Sequence, residues 1–149
     1  MYKKQQGIVA VESVFILPFI ILIMFIILDF GRVMFTSVTT ANAARAAAGY
    51  GAQSTNLSID YAGMTLAAVN DASNLKIDDD NTATVSVSAR RICRCIGSSV
   101  EVDCVSNSCG ASSEVYVEVT ATRDFHTIVP YPYIPESVLI SRTATMRVQ

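Results

Sequence analysis

The sequence predicts an α+β protein with one long N-terminal helix, a short second helix and a three-stranded, mostly antiparallel sheet. Three observations carry that prediction. An uncharged apolar run, VFILPFIILIMFIIL, extends from Val14 to Leu28; an alanine-rich stretch, TTANAARAAAGYGAQ, follows it; and apolar and polar residues alternate through much of the second half. The 149 residues are 51% hydrophobic and 16% charged, which suits one modest domain and one anchor, because the apolar excess is local.

The first helix is expected to cross a membrane. On insertion scales Leu, Ile, Phe and Val each favour the bilayer by about 0.3–0.6 kcal/mol, so the thirteen between Val14 and Leu28 sum to roughly −6 kcal/mol. That outweighs one carboxylate, Glu12, near the start. Counted from Ile8, the segment is 21 residues long, enough to cross the hydrocarbon core. A buried core helix is rarely apolar on every side. Lys3 and Lys4 precede the span while Asp29 and Arg32 follow it, so the short N-terminus is expected in the cytoplasm and the rest outside.

Nothing breaks the helix until Gly49 and Gly51, and alanine is the best helix former, so the anchor is expected to continue as a stalk. From Ile8 to Ala48 is 41 residues, about 60 Å of helix. The expected organisation is a basic leader at 1–7, a transmembrane helix at 8–28, a helical stalk at 29–50 and an extracytoplasmic α+β domain at 51–149. Ala41, Ala43, Ala44, Ala46, Ala47 and Ala48 permit close packing beneath the sheet. Pro18 removes one backbone donor and crowds the carbonyl four residues back, which predicts a kink or loosened turn.

Leu57, Tyr61, Met64, Ala68 and Leu75 fall at helical spacing and predict a second helix over Ser58 to Asn74, with Gly63 weakening it. The cluster Asp78, Asp79, Asp80 and Asn81 lacks the spaced ligands and glycine turn of a calcium loop, so a solvated turn is expected. Strands follow from alternation. Val85, Val87 and Ala89 share one face of the first; Val115, Val117, Val119 and Ala121 share one face of the second. Val138, Ile140, Ala144, Met146 and Val148 form the third, with Arg142 interrupting the apolar face. Pro130, Pro132 and Pro135 make the preceding link an extended surface connection.

Cys93, Cys95, Cys104 and Cys109 lie between the first two strands, in the half expected outside the cytoplasm, where disulfides persist. Four thiols allow three pairings. Antiparallel strands favour nested bridges, Cys95 with Cys104 and Cys93 with Cys109. A zinc site has the right ligand number, but the spacing C-x-C-x8-C-x4-C gives no paired knuckles, and without C-x-x-C no redox motif appears. His126 has no Cys or acidic cluster at catalytic spacing, and no phosphate loop, H-E-x-x-H or nucleophile elbow occurs. No enzyme activity and no cofactor are expected. A formal charge of −2 without a basic run gives no footprint for nucleic acid.

The opening MYKKQQG followed by IVAVE resembles the leader of type IV prepilins, in which a short basic leader ends in Gly before the span. The resemblance implies cleavage by a membrane aspartyl peptidase between Gly7 and Ile8. Glu12 then becomes the fifth residue of the mature chain, where pilins carry the glutamate that pairs with a neighbour's N-terminal amine and sets the register of assembly. A general secretory signal fits less well, because Glu12 opens the apolar stretch and no small-x-small site follows Leu28.

The wider segment QQGIVAVESVFILPFIILIMFIILDFGR resembles the TadE-like proteins of tight-adherence (Tad, or Flp) pilus systems, through Val11-Glu12, Leu17-Pro18 and Asp29-Phe30-Gly31 in order. Ser13 departs from that pattern, which usually places an aromatic there. The resemblance implies a pilin-like fold and a minor pilin or pseudopilin supporting adhesion from a bacterial cell membrane. Its implied partners are a prepilin peptidase, the inner-membrane assembly platform, other Tad pilins or pseudopilins, and membrane lipid. The rival expectation is an anchored binding or adhesin domain that never enters a filament.

Overall fold

The computed structural model describes residues 6–75, 85–106, 109, 113–130, 133 and 135–149. Helix α1, Gln6–Gly51, runs 46 residues and passes through Pro18 without ending. A single 3-10 turn at Leu57–Ile59 leads to α2, Tyr61–Asp71, and another at Ser73–Leu75 follows it. The strands are β1, Ser86–Cys95; β2, Glu101–Val102; β3, Ser113–His126; and β4, Ser137–Arg147. They form one antiparallel sheet in the order β2-β1-β3-β4.

The α+β architecture is therefore the expected one, with four strands among the described residues in place of three. The added strand, β2, is only two residues long, too short for any alternation to announce it. The second helix also differs from the continuous Ser58–Asn74 segment expected. Asp60 leaves helical geometry at φ −85° and ψ 75°, and its side chain caps a new start by accepting the Gly63 N–H at 2.9 Å. The helical periodicity thus spans three short pieces. The aspartate cluster at 78–81 lies outside the described residues, as does Pro132.

The core lies where the upper half of α1 crosses the sheet. Ala43, Ala44, Ala47 and Ala48 are wholly buried, as are Val117, Val119 and Ala121 on the facing side of β3. Small side chains on one helical face let the backbone approach the valines closely, and Met64 and Ala68 of α2 close the side of the same cluster. Gly51 belongs to this close approach: a Cβ there lies 3.0 Å from Met64 Sδ and 3.2 Å from Val117 Cγ1. The glycine serves packing, and the helix runs through Gly49 to reach it.

Two buried hydroxyls on α1 are satisfied locally. Thr40 O–H donates to the Thr36 carbonyl at 2.7 Å, and Thr39 O–H to that of Phe35 at 2.9 Å. Arg142, which interrupts the apolar face of β4, finds a polar partner on the stalk: its Nε and Nη2 donate to Ser37 Oγ at 3.1 and 2.6 Å. The outer face of the sheet carries cross-strand polar pairs, among them Arg90 with Glu118 at 2.6 Å and Thr120 with Thr143 at 2.9 Å. Exposed ion pairs of this kind contribute at most about 1 kcal/mol each.

Candidate functional site

Below the core, α1 leaves the domain. Every residue from Val11 to Leu28 is exposed, including Phe15, Phe19, Ile20 and Leu22. An 18-residue window of this helix has a mean hydropathy of 2.8 and none of it is buried, so the segment is not a soluble core helix turned inward. This long apolar N-terminal helix is consistent with a single-pass membrane anchor.

The residues singled out in the sequence sit along it. Gly7 and Ile8 lie in the first turn of α1, and Pro18 lies in its interior. Glu12 is exposed on the helix and, among the described residues, has neither a hydrogen-bond nor an ion-pair partner. A carboxylate at that depth in an apolar segment is costly unless it is neutralised or paired.

The point where the apolar run ends is built from both ends of the chain. Asp29 directly follows Leu28 and is only 5% exposed. Its two carboxylate oxygens accept the backbone N–H of Ile128, each at 3.2 Å, and Oδ1 also takes Arg32 Nη1 at 3.1 Å. The Arg32 guanidinium lies 5.2 Å from the centre of the Phe125 ring, and its Nη1 donates to the His126 carbonyl at 3.5 Å. A carboxylate buried next to an apolar span is thus neutralised by one cation and one backbone donor. The connection after β3 is pinned to the first charged residue beyond the span.

Asp29 and Arg32 appear in the sequence only as flanking charges and part of a motif. The available local signal is their i, i+3 spacing on a helix, which brings an acid and a base to one face. Their partners Phe125 and Ile128 have no such signal. Beside this junction a groove of about 340 Å³ opens between helix and sheet, lined by Ile26, Phe30, Val33, Phe125, Val138 and Ile140.

At the opposite end of the domain two disulfides brace the β1–β3 connection, Cys93 with Cys104 and Cys95 with Cys109. All four cysteines are bridged, but the nested pairing expected from the sequence is corrected. The strand β2 pairs Cys93 with Val102 and Arg94 with Glu101, so the returning chain carries Cys104 beyond Cys93 and away from Cys95. Cys95 instead lies opposite Ser113, near the end of the same connection, where Cys109 reaches it. The Cα atoms are 5.2 and 5.5 Å apart, inside the normal range for a bridge.

Two polar contacts outside the span hold local structure. Tyr50 O–H donates to Asp60 Oδ2 at 2.9 Å, joining the end of α1 to the start of α2. The Gly63 N–H, with help from that phenol, holds the Asp60 carboxyl below its usual range, and donating its O–H to the Asp60 carboxylate pushes the Tyr50 phenol up. His126 is exposed at the end of β3, where its carbonyl serves Arg32. Among the described residues no three His, Cys, Asp or Glu side chains come together as metal ligands.

A family model described as TadE-like protein matches residues 7–49, the span and nearly all of the stalk. No curated protein and no solved structure matches the chain.

Proposed function

We propose that this chain, which is similar to TadE-like proteins through residues 7–49, is a minor pilin or pseudopilin that takes part in assembling a Tad pilus. One observation carries the reading: an apolar helix, exposed from Val11 to Leu28 and on the TadE-like segment, presents the carboxylate of Glu12 four residues beyond Ile8. Cleavage after Gly7 frees the amine of Ile8, and that amine on a neighbouring subunit neutralises Glu12 within the bilayer. The pairing sets the axial register of packed helices. In this reading the N-terminus starts in the cytoplasm, the disulfide-bridged domain lies outside it, and the protein performs no catalysis. Its partners are the prepilin peptidase, the inner-membrane platform and other Tad pilins or pseudopilins, and adhesion is a consequence of the assembled pilus.

The test is the intact mass of protein expressed beside its peptidase. A chain that begins at Ile8, with Gly7→Ala blocking the cut, is the expected result. Full-length protein indifferent to Gly7→Ala sinks the proposal. Glu12→Ala is expected to leave cleavage and insertion intact while piliation falls; unchanged piliation removes the register role.

A second reading is an anchored binding or adhesin domain outside any filament. The domain end farthest from the span favours it, because Val100 and Val105 stand exposed on a segment braced by two disulfides. That reading predicts an uncut N-terminus.

A further inference from the structure

We propose that Ile128, Tyr133 and the groove beside β3 form a lipid-contact surface that seats the domain on the outer face of the membrane. The proposal rests on the reading of α1 as a membrane anchor. Its occupant is the outer-leaflet phospholipid, acyl chains in the groove and head groups around Ile128 and Tyr133.

The position of Ile128 follows from a single pair of contacts. Leu28 ends the apolar run, and the next residue, Asp29, holds the Ile128 N–H at 3.2 Å. Ile128 therefore lies level with the boundary between hydrocarbon and head groups. It is 53% exposed, Tyr133 in the same connection is fully exposed, and Phe30, on the first turn beyond the span, is 63% exposed. Apolar and aromatic side chains at this height are the residues that settle into a bilayer interface.

The groove supplies the second observation. It is bounded on the helix side by Ile26, Phe30 and Val33, and Ile26 belongs to the span itself. A groove that starts inside the hydrocarbon layer is continuous with lipid. Its other wall, Phe125, Val138 and Ile140, presents further apolar surface, and water there has little to bond with. Asp29, which lines the groove, is wrapped by Arg32 and the Ile128 N–H, so lipid meets a neutralised pair.

The chain contains no tryptophan, so single Trp substitutions report without background. Full-length Ile128→Trp and Tyr133→Trp are placed in vesicles of brominated phosphatidylcholine, with Phe25→Trp as the in-span control and Val105→Trp as the distal control. Both reporters are expected to lose emission relative to unbrominated vesicles, as Phe25→Trp does, while Val105→Trp is unchanged. Loss at Phe25→Trp with none at Ile128→Trp and Tyr133→Trp overturns the seat and leaves the anchor standing. In that case, a blue-shifted emission indifferent to bromine assigns the surface to a second copy of the chain. No loss at Phe25→Trp overturns the anchor reading, and the seat with it.

Discussion

The Asp29 carboxylate holds the backbone N–H of Ile128, 99 residues away in sequence, with both oxygens at 3.2 Å. This contact and the Arg32 bond to the His126 carbonyl link the start of the stalk to the far end of β3. Asp29→Ala leaves the Ile128 donor and the Arg32 guanidinium without their shared acceptor, so a loss of roughly 1–3 kcal/mol is expected. Asp29→Asn keeps an oxygen acceptor and loses less. Amide exchange at Ile128, measured with the thermal midpoint of detergent-solubilised protein, checks the point: faster exchange in Asp29→Ala is expected, and unchanged exchange removes the pinning role.

The cysteine pairing is tested by leaving one thiol orphaned. In Cys104→Ser the free thiol belongs to Cys93, whereas a nested arrangement frees Cys95. Trypsin separates the two possibilities because Arg94 lies between them. Alkylation of the unreduced protein followed by digestion is expected to label the short peptide Ile92–Arg94. Label on the peptide that begins at Cys95 contradicts the pairing described. Each bridge closes a short loop, with sequence separations of 11 and 14, so losing either is expected to cost about 3 kcal/mol in the chain-entropy picture.

What the sequence makes legible are features with a period. Val117 and Val119 alternate, Ala43, Ala44, Ala47 and Ala48 repeat at helical spacing, and both patterns meet in the core. The span and the spacing of Gly7 to Glu12 are equally local. Features set by register across a turn are not legible. The disulfide pairing depends on Cys93 standing opposite Val102, which follows from where a five-residue connection, 96–100, folds back. Asp29 shows the same limit, because its partner lies in a connection without periodicity. Arg142 looks like an interruption until Ser37 is known to face it.

Two glycines two residues apart at the end of α1 predict opposite outcomes. At Gly51 an added Cβ comes within 3.0 Å of Met64 Sδ and 3.2 Å of Val117 Cγ1, and Val117 is wholly buried. Overpacking there is expected to cost about 1–3 kcal/mol for Gly51→Ala. At Gly49 the nearest atom is Met146 Sδ at 3.9 Å, an ordinary contact, so Gly49→Ala keeps the space and gains helix propensity, up to about 1 kcal/mol. Thermal midpoints of the two full-length variants decide it. Equal destabilisation by both substitutions contradicts the packing described.

The Tyr50–Asp60 contact predicts where stability changes with pH. The Gly63 N–H and then the Tyr50 O–H depress the Asp60 carboxyl, so its folded value lies below that of an unfolded aspartate, about 3.9. The unfolded chain binds the proton first as acid is added. The contribution is therefore complete above the unfolded value and is lost as pH falls through the lower, folded one. Tyr50 shifts the other way, because its O–H bond to Asp60 favours the neutral phenol. Its contribution is complete below the unfolded phenol value near 10 and is lost as pH rises through the raised, folded one. Tyr50→Phe is expected to weaken the acid-side dependence while leaving the Gly63 cap in place, and Asp60→Asn to remove it from this corner altogether. Thermal midpoints followed from neutral pH down to pH about 3 and up past pH about 10 measure both arms. An acid arm identical in wild type and Asp60→Asn shows that the carboxyl is not held below its unfolded value.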